Sequence, residues 1–406
     1  VRIALLHDHH THYSLYAAWE SGLSVAALAS KQELLAQLSR LPEKELSVVF
    51  GWNSSRIALT ENDLEKLPPL VLNDISLHGF LLSAAAREML AVTHAEILMG
   101  YRDSHWRERN VARLLNFMVA ASGLTAPKIA SFRQSLRQVG VASGTEMMLA
   151  SEGALELLTP LIGSFSCYTD LATFEALSPE ARQRVYGLKL FTDGSLGARS
   201  AALSERFLDN SSGTLVYSAK ELRDEMELNL TYKPRLAIHA LGDAAIRQVV
   251  DAVRELRLST VRIDEIRIEH AEFIDRSTAR QAKELGIKLC MQPNFSSDSR
   301  VYEDRLSREM RARINPFRML IDEVSYVPGE DLLFGSDGMP HGAEFALQEA
   351  LFPLFDSQRI TLEEFVAAYT LGDNFERGFI EVDIDAQQRR VKVKEIVFCD
   401  EDQKRS

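Results

Sequence analysis

RLAIHALGDAAIRQVVDAVRELRLSTVRIDEIRIEHA occupies residues 235–271, and how it is parsed decides the fold. Its ends, RLAIHA (235–240) and EIRIEHA (265–271), are short and mostly apolar rather than strictly alternating, as strands covered on both faces are. Between them Ile246, Val249, Val250 and Val253 fall on one helical stripe, and Asp243 is placed to cap the helix start. Strand, helix, strand in that order is a parallel βαβ unit.

The same alternation extends outward in both directions. RIALL (2–6), SVVFG (47–51), LVLND (70–74), GVASGTEMM (140–148), YGLKLF (186–191), GIKLCMQP (286–293) and DLLFGSD (331–337) read as further strands. A helix is expected from Asp275 to a stop at Gly286, and Thr361 with Glu364 forms a capping box. About eight such repeats imply an α/β fold of the (β/α)8 TIM barrel type, spanning residues 1–378. Nine strand-like runs are one too many, so one run between 47 and 148 is expected in an insertion at roughly 53–138. The tail, 379–406, reads as a short hairpin-like remnant of a small β-domain ending in solvated charge.

The 406 residues, 46% hydrophobic and 26% charged, are those of a soluble globular chain, and a net charge of −12 argues against nucleic acid or an anionic membrane. Cys167, Cys290 and Cys399 lack CxxC spacing, so a reducing, cytoplasmic setting is expected. A chain that begins on Val1 rather than Met is expected to be trimmed or internally started.

Chemistry concentrates at strand ends. LLHDHHTH places four imidazoles between His7 and His12, and alternation pairs His10 with His12 and His7 with His9. The first pair is preferred, because Asp8 completes D-x-H-x-H on one face. His239 and His270 end successive strands, and Asp337 ends LLFGSD before a Gly-Met-Pro turn. Neutral imidazoles and a carboxylate are what zinc-like ions take. A strand-end Asp is more often a turn cap, and a single strand-end histidine more often a structural group. Lys189 sits inside an apolar strand, where burial lowers a lysine's pKa and frees the amine to react; snorkelling from the rim is the competing reading.

Taken in order, DHHTH, FGWNSSRI, LVLNDISLHG, GLKLFTDGSLGARSAAL, AIHALGDAAI, RIEHAEFI, MQPNF and FGSDGMP resemble the amidohydrolase superfamily, and within it the N-substituted formamide deformylase-like branch, amidohydrolase family 3. The resemblance implies a metal-dependent hydrolase. His10, His12, His239 and His270 would be ligands, and Lys189 would be carboxylated and bridge two ions. Asp337 would bind metal and handle the proton. His78 would face the substrate, with Asp193, Gly194, Gln292 and Trp52 around it. His7, His9 and Glu269 either orient ligands or are rim residues. The resemblance also implies a small β-sandwich, which the start at Val1 and the tail after Ile380 leave truncated.

The activity so implied is hydrolysis of carbon–nitrogen bonds other than peptide bonds, using one or two divalent ions, zinc being expected. An esterase, lactonase or isomerase on the same site, or a silent scaffold, are the alternatives. The expected partners are a small amide-like substrate and, at most, a second copy in a homodimer; neither nucleic acid nor membrane is expected.

Overall fold

The computed structural model describes residues 1–162, 167–372 and 375–399, and the charged end of the tail lies outside them. From the N-terminus the strands are β1 (Arg2–Ala4), β2 (Leu6–Thr11), β3 (Ser47–Trp52), β4 (Leu70–Asp74) and β5 (Phe80–Leu82). There follow β6 (Val141–Glu146), β7 (Tyr168–Thr169), β8 (Gly187–Phe191), β9 (Arg235–Ala240), β10 (Glu265–His270), β11 (Lys288–Met291) and β12 (Leu332–Phe334). The last two are β13 (Gly378–Asp385) and β14 (Arg390–Phe398).

Strands β7 to β12 form one sheet in chain order, every neighbour parallel. β2 and β6 form a separate parallel pair, tied towards β7 by one bridge between Glu146 and Cys167. At the far edge Asp337 N–H donates to the His10 carbonyl at 2.7 Å, spanning from the end of β12 to β2. The ladder is therefore mixed α/β with parallel strands, but it does not run continuously as a closed barrel. The physical reason at this seam is local: β12 has only three residues, and Asp337 already turns left-handed at φ 54°.

Gly335 makes the seam close enough for that hydrogen bond. A Cβ there would lie 2.4 Å from His10 N and 2.8 Å from His10 Cα, backbone atoms that cannot swing aside. Gly335→Ala should therefore cost about 2 kcal/mol of stability by overpacking, read as a lower urea midpoint. An unchanged midpoint would mean the seam is loose.

Packing follows the apolar stripe seen in the sequence. The helix Asp243–Leu256 buries Ile246, Val249, Val250, Val253 and Leu256 against the sheet. Its N-cap is Gly242, not Asp243; the Asp243 carboxylate instead accepts from Ser204 N at 2.8 Å. Asp275 does cap its helix, accepting from Ser277 N and Thr278 N, and Gly286 ends it at φ 70°. Thr361 and Glu364 form their capping box.

Two strand readings change. Both Ser47–Trp52 and Leu70–Asp74, rather than one of them, leave the main sheet and join β5 in a separate sheet. That sheet has its own core of Val25, Leu34, Val49, Trp52, Leu64, Leu70 and Leu72. The place of the second is taken by β7, too short at two residues to show an apolar run. RIALL also splits: Arg2–Ala4 pairs antiparallel with β13, so the first residues and the tail hairpin make one three-stranded sheet.

Candidate metal centre

The first histidine strand carries a register irregularity: Asp8 faces Gly144, but Thr11 faces Glu146, three residues against two. Such an extra residue re-aims side chains and breaks the simple alternation. His7 turns to Ser143, with Nδ1 2.8 Å from its hydroxyl. Asp8 does not join the ligand face; its carboxylate accepts from Ser336 N at 2.9 Å, from the Ser336 hydroxyl and from His10 N at 3.2 Å. It ties β2 to the end of β12. His10 and His12 come together, ring centroids 5.6 Å apart.

Around them the other strand ends converge. The His270 ring lies 4.8 Å from His10 and 4.5 Å from His239. Asp337 Oδ1 is 3.3 Å from His12 Nε2 and 3.7 Å from His10 Nε2. Candidate ligand atoms of His10, His12 and Asp337 all lie within 4.8 Å of one another. A small void of about 10 Å³ is lined by His10, His12, Lys189, His239, His270 and Asp337. The sequence-derived ligand set is thus one cluster in space. His270, Ala271 and Asp337 all have positive φ, at 73°, 51° and 54°. Left-handed backbone at side-chain-bearing residues is strained, and such strain is commonly held at functional sites.

The tautomers follow from partners that can only accept. Glu269 is clamped by Arg267, with Nε 2.9 Å from Oε1, and its Oε2 lies 2.6 Å from His10 Nδ1. Burial pushes the Glu269 pKa up, but the Arg267 charge and the His10 hydrogen bond outweigh it and hold it well below normal. His10 therefore carries its proton on Nδ1 and keeps a lone pair on Nε2. His239 Nε2 faces the Gly194 carbonyl at 3.1 Å, which leaves Nδ1 free. His270 Nδ1 faces Gln292 Oε1 at 2.8 Å, the amide being fixed by Nε2 donating to the Cys290 carbonyl. Fixing one ring nitrogen so that the other can ligate is the usual support of a metal-binding imidazole.

The residues fit a divalent ion. His10 Nε2, Lys189 Nζ and Asp337 Oδ1 are buried without hydrogen-bond partners while His12 turns Nε2 to Asp337, and each such orphan costs about 1–3 kcal/mol if left unmet. Burial above all lowers the His10 pKa to about 4 and holds His239 and His270 well below the usual range, so they are neutral donors. Burial likewise lowers Lys189 to about 8. Asp337 stays ionised: burial opposes this, but the close approach of His12 Nε2 and the Lys189 charge outweigh it and hold the pKa below normal. A second grouping, His10, Glu269 and Cys290, is geometrically close. It is a poor cation site, because Glu269 is already spent on Arg267 and His10 while burial keeps the Cys290 thiol protonated.

Of the substrate-facing candidates, His78 alone lines the cavity above the cluster. It comes from the β4–β5 connection, its ring 4.9 Å from His239 and its Nδ1 2.5 Å from Glu108 Oε2. Burial lowers its pKa, but the Glu108 charge and hydrogen bond more than offset this, leaving it raised. Asp193 does not line the cavity; its carboxylate accepts from Ala202 N, Leu241 N and Gly242 N. Gln292 is equally buried and acts on His270. Trp52 lies in the core of the separate sheet, its indole donating to the Ile57 carbonyl at 2.8 Å. Each of these three stands near a strand end but spends its polar atoms on the frame. Glu108, absent from the sequence reading, is packed over Gly194, where a Cβ would meet its Oε1 at 2.4 Å.

Parallel strands whose ends gather four imidazoles, a lysine and an aspartate make this an α/β protein with a candidate metal centre. The chain belongs to the amidohydrolase family, whose model matches residues 3–373. Among curated proteins it is 24% identical over 366 residues to YtcJ of Bacillus subtilis (strain 168), covering 78% of this chain and 67% of that one. It is also 30% identical over 118 residues to LONG AFTER FAR-RED 3 of Arabidopsis thaliana, 28% of this chain and 20% of that one. Two solved structures share the fold. An uncharacterized metal-dependent hydrolase from Pyrococcus furiosus has a TM-score of 0.62 at 21% identity, over 90% of this chain and 80% of that one. One from Pyrococcus horikoshii OT3 has a TM-score of 0.63 at 22% identity, over 86% and 74%. No helix among the described residues is long and apolar enough to cross a membrane.

Proposed function

We propose that the chain is a metal-dependent hydrolase of carbon–nitrogen bonds other than peptide bonds, acting on N-acyl, formamide or cyclic amide substrates, as in the N-substituted formamide deformylase-like branch. The eight strands β2 and β6 to β12 are then read as a (β/α)8 barrel with its site at the C-terminal ends of the strands. The observation that carries the reading is the gathering of His10, His12, Lys189, His239, His270 and Asp337 around one void, with His10 Nε2, Lys189 Nζ and Asp337 Oδ1 buried and unpartnered.

His10, His12, His239, His270 and Asp337 would hold one or two divalent ions, zinc being the ion their chemistry suits. When bound there, the ion polarises the scissile carbonyl and lowers the pKa of water to roughly 7. Asp337, ionised and facing the cavity, takes the proton from the attacking water and returns it to the leaving nitrogen. His78, anchored by Glu108, positions the substrate from the opposite wall. The Lys189 amine adds to CO₂, forming an N–C bond and releasing one proton. The resulting carbamate supplies the negative charge that a two-ion centre needs.

The test is a panel of N-formyl and N-acetyl amines and cyclic amides, run against matched esters and lactones on zinc-loaded protein. Amide turnover by the parent chain, with loss of both bound metal and turnover in His239→Ala, is the expected result. Turnover of esters or lactones alone would overturn the carbon–nitrogen assignment.

A further inference from the structure

The cavity above the cluster has a volume of about 520 Å³, and much of its wall is apolar or aromatic, with Trp19, Phe50, Phe295 and Tyr302 among its members. Its acidic members are Asp74, Glu272, Asp298 and Asp337, and no lysine or arginine lines it among the described residues. Asp337 belongs to the ligand cluster. Asp74 is already satisfied, accepting from Ser54 N at 3.2 Å and Ser76 N at 2.9 Å. Arg305, buried behind the wall, is spent on the carbonyls of Leu196 and Gly197 and the Ser54 hydroxyl.

Glu272 is different. It is only 1% exposed, it lines the cavity, and neither carboxylate oxygen has a hydrogen-bond partner. It stands just past the left-handed turn at His270 and Ala271, and its carbonyl accepts from Asn315 N at 2.9 Å, so the backbone is pinned. It belongs to neither grouping of metal-type ligands found among the described residues. Burial, and after it the nearby Asp298 charge, pushes the Glu272 pKa well above the usual carboxylate range, as expected of a buried carboxyl that meets neither a cation nor a donor among the described residues.

We infer that the substrate carries an ammonium group away from its scissile bond, and that Glu272, with Asp298 on the same wall, binds it. Phe295 and Tyr302 line the same cavity and supply apolar contact around the charge, one face of Tyr302 being already covered by the Arg305 guanidinium 5.1 Å from its centroid. The word substrate rests on the hydrolase reading; the cation site does not.

Binding is measured by titration calorimetry on the zinc-loaded protein, using benzylamine as the ammonium probe and benzyl alcohol as its neutral counterpart. The ammonium should bind at least about tenfold more tightly, the scale of one charge-assisted contact. Glu272→Gln, which keeps the shape and removes the charge, should erase that preference. Asp298→Asn, at a half-buried position, should reduce it and serves if Glu272→Gln fails to fold. Equal binding of the two probes, no binding of the ammonium, or a preference that survives the folded variants would overturn the inference. A second arm keeps this apart from the hydrolase reading: ω-aminoacyl p-nitroanilides of increasing length are compared with methyl-terminated isosteres. Turnover of both series at equal rates would overturn the ammonium site alone. Turnover of neither, with calorimetric preference intact, would overturn the hydrolase reading alone.

Discussion

In Asp337→Asn protein, kcat/KM for amide hydrolysis should fall by about 10³-fold, within the range that loss of a positioned acid–base group produces. The substitution keeps the side chain's shape and one oxygen, so the four imidazoles still gather and the fold is preserved. What disappears is the ability to hold a proton between water and leaving nitrogen. Asp337 suits that role because it stays ionised while 6% exposed, with Oδ1 unpartnered towards His10 and His12. The loss should appear in kcat, with little change in KM, since an interaction made in the transition state is removed. Bound metal should be measured in the same preparation. A variant that retains the ion and full activity would remove Asp337 from the chemistry.

Glu269→Gln should be costly in a different way. Arg267 and Glu269 are both buried, joined at 2.9 and 3.0 Å, and Glu269 also holds His10 Nδ1. Removing one charge of a buried pair leaves the other uncompensated, which destabilises by about 3–5 kcal/mol. The same change frees the His10 ring to turn, and loss of such a supporting carboxylate lowers metal affinity by about 10–100-fold. Urea unfolding of the metal-free protein reads the first effect, and chelator competition reads the second. Unchanged stability together with unchanged affinity would show that Glu269 neither compensates Arg267 nor orients His10.

The cluster itself was legible because its members sit where short apolar runs give way to turns. His239, His270 and Asp337 each mark such a point, and His10 with His12 marks the first. Distance along the chain hid what those residues lean on. Glu108 lies 30 residues from His78, and Glu269 lies 259 from His10, yet each makes one short contact that fixes a ring. Nor could spacing say where a strand-end side chain turns. Asp193 and Gln292 look outward in sequence but bond inward to backbone and imidazole. The strand pattern failed where length failed: Tyr168–Thr169 is too short to show an apolar run, while Ser47–Trp52 and Leu70–Asp74 show one and belong to another sheet. Glu272 was invisible for a related reason, since EHAEF does not reveal whether a carboxylate has a partner.

Everything proposed for the site depends on these strand ends holding metal. The most direct test is elemental mass spectrometry on protein purified without a histidine tag or chelator and supplied with zinc, giving metal content per chain. Between one and two ions per chain are expected, falling to a trace when His10, His239 and Asp337 are replaced by Ala. A chain that is folded and binds no divalent ion under these conditions would contradict metal binding at this site.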